Sequence, residues 1–356
     1  FTELTETATL HRLLGFSANG RPAAGADHPL THDVVLVDEA SMIDLNLMAT
    51  LLEALPERTR LILLGDPDQL ASVEAGAVLS DICAAAESKP LAGSVARLRH
   101  SWRFTRDSQI GRLATAVTNG DTNEALATLS ESGQSDAIMR PAAKRADLVD
   151  LLEEHCVGVF AEGLRLAATG APAEAVFNSI FRLQLLAAHR SGPGGVDELN
   201  QQVEKQLALR GLLRPGDTWY PGRPVLVTRN DYNLRLFNGD IGVVLPDPDQ
   251  PERLKAVFAQ PEGGWRAISP GRLPEHVTAY AMTVHKSQGS EFNCVIMVLP
   301  ERASYVLSRA LLYTAITRAT DRLEIWGRTE VLGEAIRRRA RRASGLRDRL
   351  CAMGIT

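Results

Sequence analysis

The sequence predicts an α/β protein built on parallel sheets, with a small β-barrel inserted late in the chain. Three observations carry that reading. Apolar runs of strand length, at residues 34–37 and 61–64, each lead into a polar turn and then a helical pattern, the alternation of a doubly wound layer. The same texture returns at 294–299 and 323–326. Between a Pro/Gly-punctuated boundary at 214–224 and about Pro274 it gives way to short β-prone runs parted by turn signals such as Asn238-Gly239.

Taken in order, the runs at 34–37 and 61–64 are apolar at every position, which suits a parallel sheet covered on both faces. Helical patterns follow at 42–55 and after the turn at 65–68. Residues 105–170 are mostly helical in character, with Ala and Leu at helical intervals. A strand-like run at 181–188 precedes a Gly- and Pro-rich turn at 191–195 and a helical pattern to about Leu209. Runs at 224–229, 241–245, 254–259 and 264–268 make up the β insertion.

A chain of 356 residues argues for two or three domains. Its 45% hydrophobic and 23% charged content supports real cores and excludes disorder. No apolar run approaches the ~20 residues needed to cross a bilayer. Cys83, Cys156, Cys294 and Cys351 form no CxxC pair, so neither a zinc module nor a disulfide framework is expected, and a reducing, cytoplasmic compartment fits. The first residue is Phe1 rather than Met, so further sequence is expected upstream. A net charge of −4 argues against a wholly basic face but allows a groove lined locally by cations. Only five of the 39 cations are Lys; the Arg excess suits bidentate phosphate contacts, although genomic base composition produces the same bias.

The strongest local signal is Val37-Asp38-Glu39-Ala40-Ser41. Two carboxylates stand at the carboxyl end of an apolar strand, where open α/β sheets place their ligands. One can hold Mg²⁺ while its neighbour polarises a water. The competing explanation is a helix start, with acids complementing the dipole. The next strand ends in Gly65-Asp66-Pro67-Asp68-Gln69-Leu70, where Gln69 can hydrogen-bond a terminal phosphate or an attacking water, or the segment is simply a turn. Downstream, Ser101-Trp102-Arg103-Phe104 sets an Arg between aromatics. Residues 283–292 crowd hydroxyls, cations and a Gly ahead of a strand, and 313–319 puts a Thr-Arg pair, Thr317-Arg318, on a helix.

In order and spacing these segments resemble the motifs of superfamily 1 helicases. Val37–Ser41 is similar to motif II (Walker B), 65–70 to motif III, Trp102-Arg103-Phe104 to motif IV, 283–292 to motif V and 313–319 to motif VI. Residues 8–15, 70–79, 236–242 and 273–276 narrow the resemblance to the RecD family, the alpha subunit of exodeoxyribonuclease V, over nearly the whole chain. The resemblance implies two RecA-like parallel-sheet domains of the P-loop NTPase fold, with ATP in the cleft between them. Residues 1–95 would form part of domain 1A, 96–215 and 277–356 the two parts of domain 2A, and 216–276 an SH3-like β-barrel insertion. It implies that Asp38 holds Mg²⁺, Glu39 activates water and Gln69 senses the γ-phosphate. Arg103 and Arg318 would act as arginine fingers, with Gly289 and Glu291 touching the nucleotide. Thr9, His11, Thr283, His285 and Lys286 would contact the DNA strand. The implied activity is ATP-dependent 5′→3′ helicase work on single-stranded DNA and duplex ends. It would serve double-strand break repair and recombination beside RecB- and RecC-like subunits.

One departure weighs against a self-sufficient motor. GxxxxGK[ST] is absent, and none of the five lysines follows a Gly; the resemblance places that loop upstream of Phe1. The alternative is therefore a non-catalytic fragment that binds single-stranded DNA or serves as a scaffold. A nuclease-like PD…ExK pattern through Pro67, Asp68, Glu87 and Lys89 competes poorly, because Pro67-Asp68 already belongs to the motif III turn.

Overall fold

The computed structural model describes residues 7–352 apart from 18, 73, 75, 87–90, 92, 99–107, 132–134, 261 and 340–343. The chain forms two compact units, one of residues 1–100 with 340–356 and one of residues 101–339.

In the first unit, α1 (Leu10–Leu13), β1 (Val34–Val37), α2 (Leu45–Ala54), β2 (Arg60–Leu63) and α3 (Val78–Ala84) follow in order. Strands β1 and β2 pair in parallel from Val34↔Arg60 to Val37↔Leu63. Successive side chains on a strand face opposite ways, and here only one face is covered. Val35 and Val37 are buried with Ile43, Met48, Leu51 and Leu79, whereas Val34 and Leu36 are 47% and 51% exposed. The expectation of cover on both faces is thus corrected: the apolar cluster of this unit lies on one side of the two strands. The C-terminal helix Leu346–Ala352 joins this unit rather than the second, where the sequence had placed it. Leu346 packs on the same core, and Ser344 Oγ donates to Asp81 Oδ2 at 2.6 Å.

The second unit opens with α4 (Gln109–Asn119), α5 (Thr122–Ser130), β3 (Ala137–Pro141), α6 (Arg145–Leu152), α7 (Gly158–Ala168), α8 (Ala173–Phe181), β4 (Leu183–Ala187) and α9 (Val196–Leu209). A π-helical turn, Glu153–Val157, joins α6 to α7. After the insertion come β10 (Ala281–Thr283), β11 (Phe292–Val298), α10 (Arg309–Ile316), β12 (Ala319–Gly327) and α11 (Thr329–Arg337). Its main sheet is parallel throughout, in the order β10-β4-β11-β12-β3. Strand β4 is buried along its whole length, as a strand packed on both faces must be. Strand β3 lies inside the stretch expected to be mostly helical. It is short, sits at a sheet edge and ends in Pro, which only an edge tolerates.

The insertion carries β5 (Pro224–Val227), β6 (Ile241–Pro246), β7 (Leu254–Ala259), β8 (Trp265–Ile268) and β9 (His276–Thr278). They form one antiparallel sheet, β8-β7-β6-β5-β9, with β8 and β9 at its edges. It has its own core of Val225, Val227, Leu236, Val244, Phe258 and Ile268. Among the described residues no helix is long and apolar enough to cross a membrane.

Candidate functional site

In the first unit the two strand ends are tied together. Leu64 N donates to Val37 O and Ala40 N to Leu64 O, both at 2.8 Å. Gly65 permits that approach, because a Cβ there would lie 3.1 Å from both Ala40 N and Ser41 N. Asp38 Oδ1 accepts from Glu39 N at 2.8 Å, which leaves its second oxygen for a cation. Glu39 adopts φ 51° and ψ 40°, a left-handed conformation costly for a side chain of its size, and such strain concentrates at functional sites.

These acids do not cap α2, although Glu39 stands at the N-cap position of a 3-10 turn, Ala40–Met42. Helix α2 begins at Leu45, and its cap is Asp44, whose Oδ1 accepts from Asn46 N at 2.8 Å and Leu47 N at 2.9 Å. Glu39 makes no capping bond with its side chain. Asp66 builds the motif III turn by accepting from Asp68 N at 3.0 Å, and Gln69 Nε2 donates to Asp66 Oδ2 at 3.4 Å. Gln69 Oε1 and Ser41 Oγ are buried without hydrogen-bond partners. Each unmet polar atom costs about 1–3 kcal/mol, a cost that a bound polar ligand or its water would relieve.

These residues fit a magnesium nucleotide. Among the described residues no group of three or more His, Cys, Asp or Glu could cage a metal. A Mg²⁺ held by one or two carboxylates, phosphates and waters needs no cage. Asp38 supplies the oxygen, and the orphaned Gln69 Oε1 can accept from a water.

In the second unit the motif V loop leaves β10 at Thr283. It turns through Lys286 N to Thr283 O at 2.9 Å and Ser287 N to Thr283 O at 3.2 Å. Lys286 Nζ donates to Asn238 Oδ1 in the β insertion. Burial lowers the Lys286 pKa, and the nearby Arg190 adds to that direction. His285 is half-buried; Gly289 and Glu291 are exposed. Gly289 has φ +78° with open space where a Cβ would stand, so the conformation, not crowding, requires glycine.

Arg318 is not on a helix. Helix α10 ends at Ile316 with Thr317 as its cap, and Arg318 occupies the turn into β12. It is 2% exposed. Its Nη1 donates to Ser290 O at 3.1 Å and its Nε to Thr314 O at 3.3 Å. Thr9 and His11 are exposed on the first unit, where Thr9 caps α1 by accepting from Arg12 N at 3.3 Å and His11 packs on Phe16. Arg103, with the rest of motif IV, lies outside the described residues, as do Glu87 and Lys89.

The first unit therefore carries Asp38 and Glu39 after β1 and Gln69 in the turn after β2. The second assembles Thr283, His285, Lys286, Gly289, Glu291 and Arg318. Sequence reasoning missed Ser41, Arg190 and Asn238. The Asn-Gly pair at 238–239 signalled a turn and nothing about what Asn238 would hold.

A model of the AAA domain family matches residues 3–138, and one of the UvrD-like helicase C-terminal domain matches 278–325. The chain is 43% identical over 349 residues to the RecBCD enzyme subunit RecD of Mycolicibacterium smegmatis, covering 98% of this chain and 60% of that protein. It is 34% identical to the RecD subunit of Haemophilus influenzae, covering 96% and 58%, and 32% identical to the ATP-dependent RecD2 DNA helicase of Deinococcus radiodurans, covering 97% and 43%. The chain thus spans about three-fifths of the length of the RecD relatives. Across nearly its full length the chain is similar to RecD subunits of the RecBCD enzyme and to the RecD2 DNA helicase.

Proposed function

We propose that this chain is the motor portion of an ATP-driven DNA helicase that moves 5′→3′ along single-stranded DNA. We place it in the cytoplasm, acting at duplex ends in double-strand break repair and recombination, beside RecB- and RecC-like subunits, with the insertion as an SH3-like module. The observation that carries the reading is Glu39. Its backbone is strained, its side chain makes no capping bond, and it follows Asp38 at the end of β1, while the end of β2 leads into the turn that holds the orphaned Gln69 oxygen. A passive scaffold has no use for that arrangement.

When bound, ATP with Mg²⁺ supplies a phosphoryl group whose transfer to water releases the energy for movement. Asp38 would hold the cation. Glu39 accepts a proton from the attacking water at its carboxylate, and Gln69 Oε1 orients that water. Arg318, fixed by the Ser290 carbonyl, and Arg103 supply positive charge for the phosphates. Gly289 and Glu291 border the nucleotide. Thr9 and His11 on one unit, and Thr283, His285 and Lys286 on the other, bind the strand through its backbone without reading sequence.

The test is single-stranded DNA affinity with and without a non-hydrolysable ATP analogue, in the protein as the cell makes it. A nucleotide-dependent change supports the motor. Identical affinity in both conditions supports the scaffold instead.

A further inference from the structure

Residues 229–240, which join β5 to β6, are more tightly built than a strand connection requires. Asp231 N donates to Leu236 O at 2.7 Å and Leu236 N to Asp231 O at 3.0 Å, closing a small hairpin. Asp231 Oδ1 accepts from Asn233 N and Leu234 N, both at 3.0 Å. Arg266 Nη1 braces the outer turn by donating to Leu234 O at 2.7 Å. Leu236 plugs into the core of the insertion.

That rigid frame carries two aromatics outward. Tyr232 and Phe237 are 71% and 42% exposed, with ring centroids 6.0 Å apart at 75°. Arg229 and Arg235 flank them in the loop and are exposed. The loop is also tied to the candidate strand site. Asn238, whose N–H is held by Asn230 Oδ1 at 2.8 Å, accepts from Lys286 Nζ. A paired aromatic patch on a braced loop, bordered by cations and joined to a phosphate-binding lysine, is the composition of a single-strand stacking surface.

We propose that Tyr232 and Phe237 form a base-stacking platform for single-stranded DNA, extending the strand site at Lys286 onto the β insertion. This rests on the reading of Lys286 as a strand contact. Lys286 would grip the backbone while the rings take neighbouring bases. Asn238 fixes the distance between the two kinds of contact. Because every base has a π face, the platform shows no sequence preference.

The experiment compares binding of labelled oligo(dT) and of an abasic strand of equal length by fluorescence anisotropy. The proteins are the unaltered chain, the double variant Tyr232→Ala/Phe237→Ala, the single variant Tyr232→Trp and Lys286→Ala. The double variant is expected to lose oligo(dT) affinity about tenfold or more while binding the abasic strand like the unaltered chain. Tyr232→Trp is expected to retain oligo(dT) affinity. Undiminished oligo(dT) binding by the double variant, with a loss in Lys286→Ala, overturns the platform and leaves the strand site standing. An equal loss on both strands also overturns stacking, since an abasic strand offers no base. If Lys286→Ala leaves oligo(dT) binding unchanged, the strand-site reading itself fails, and the platform proposal with it.

Discussion

Arg318 and Ser290 are joined: Nη1 of Arg318 donates to the Ser290 carbonyl oxygen at 3.1 Å, and the Arg318 carbonyl accepts from Phe292 N at 2.9 Å. The guanidinium proposed to face the phosphates and the loop proposed to face DNA therefore share a hydrogen-bonded frame within the second unit. Neither can move far without the other. In the proposed motor, that frame is the physical route by which nucleotide state would reach the strand-binding loop.

Arg318→Ala is expected to lower DNA-stimulated ATP hydrolysis by about 10³-fold or more, while nucleotide-free binding to single-stranded DNA persists. Arg318→Lys keeps the charge but not the planar fork that reaches Ser290 and Thr314 together, so it stays impaired. Parallel hydrolysis and binding assays check this. Equal loss of both in Arg318→Ala would mean that the substitution unfolds the unit rather than disarming it.

The division of labour among the three acids after β1 is separable. Asp44→Ala removes the cap of α2 and is expected to cost about 1 kcal/mol of stability in urea unfolding. Asp38→Ala should leave stability nearly unchanged and abolish Mg²⁺-dependent hydrolysis. A reversed pattern would return Asp38 to a structural role.

Lys286 should show itself in salt and in pH. Lys286→Ala is expected to weaken DNA binding and reduce the slope of log affinity against log salt by about 1. Burial and Arg190 lower the Lys286 pKa, so its ammonium is lost at a lower pH than an ordinary lysine's. DNA affinity should therefore decline as pH rises toward that lowered pKa, and Lys286→Arg should flatten the decline. A titration of affinity against pH for the two proteins decides it.

Glu324 locks β3 to β12. It is buried and accepts from Arg140 Nε at 2.7 Å, Trp326 Nε1 at 2.8 Å and Arg322 Nη2 at 2.8 Å. Burial alone pushes its carboxyl up, but the bonds from Arg140 and Trp326 prevail and hold it below the usual value. A carboxylate with a lowered folded pKa stabilises above its unfolded pKa and loses that stabilisation as pH falls through the folded one. Glu324→Gln is expected to cost about 2 kcal/mol near neutral pH, with the difference shrinking in acid. Urea midpoints at several pH values measure it.

What the residues alone revealed follows from how each element earns its place. Strand β1 was legible to the residue, because an uninterrupted Val-Val-Leu-Val run has one good use. Its half-exposure was not, since the same four residues suit one covered face or two. Strands β3, β9 and β10 escaped notice. They are three to five residues long, and each lies at a sheet edge where the partner strand, not local preference, fixes the backbone. Asp38 and Glu39 were legible as a pair, whereas their not capping α2 depended on Asp44, two residues before which the expected helical pattern had already begun. Arg318 was found by its motif but misplaced onto the helix, because periodicity does not show that Thr317 ends it. The Asn238–Lys286 contact joins residues far apart in sequence, and no local pattern announces it.

The central claim is that Glu39 activates water in an ATP-driven motor. Its most direct test is DNA-stimulated ATP hydrolysis by Glu39→Gln in the protein as the cell makes it, with nucleotide binding followed in the same samples. Loss of hydrolysis with nucleotide binding retained is the expected result. Hydrolysis at the unaltered rate would contradict the account, because the strained carboxylate would then have no part in the chemistry.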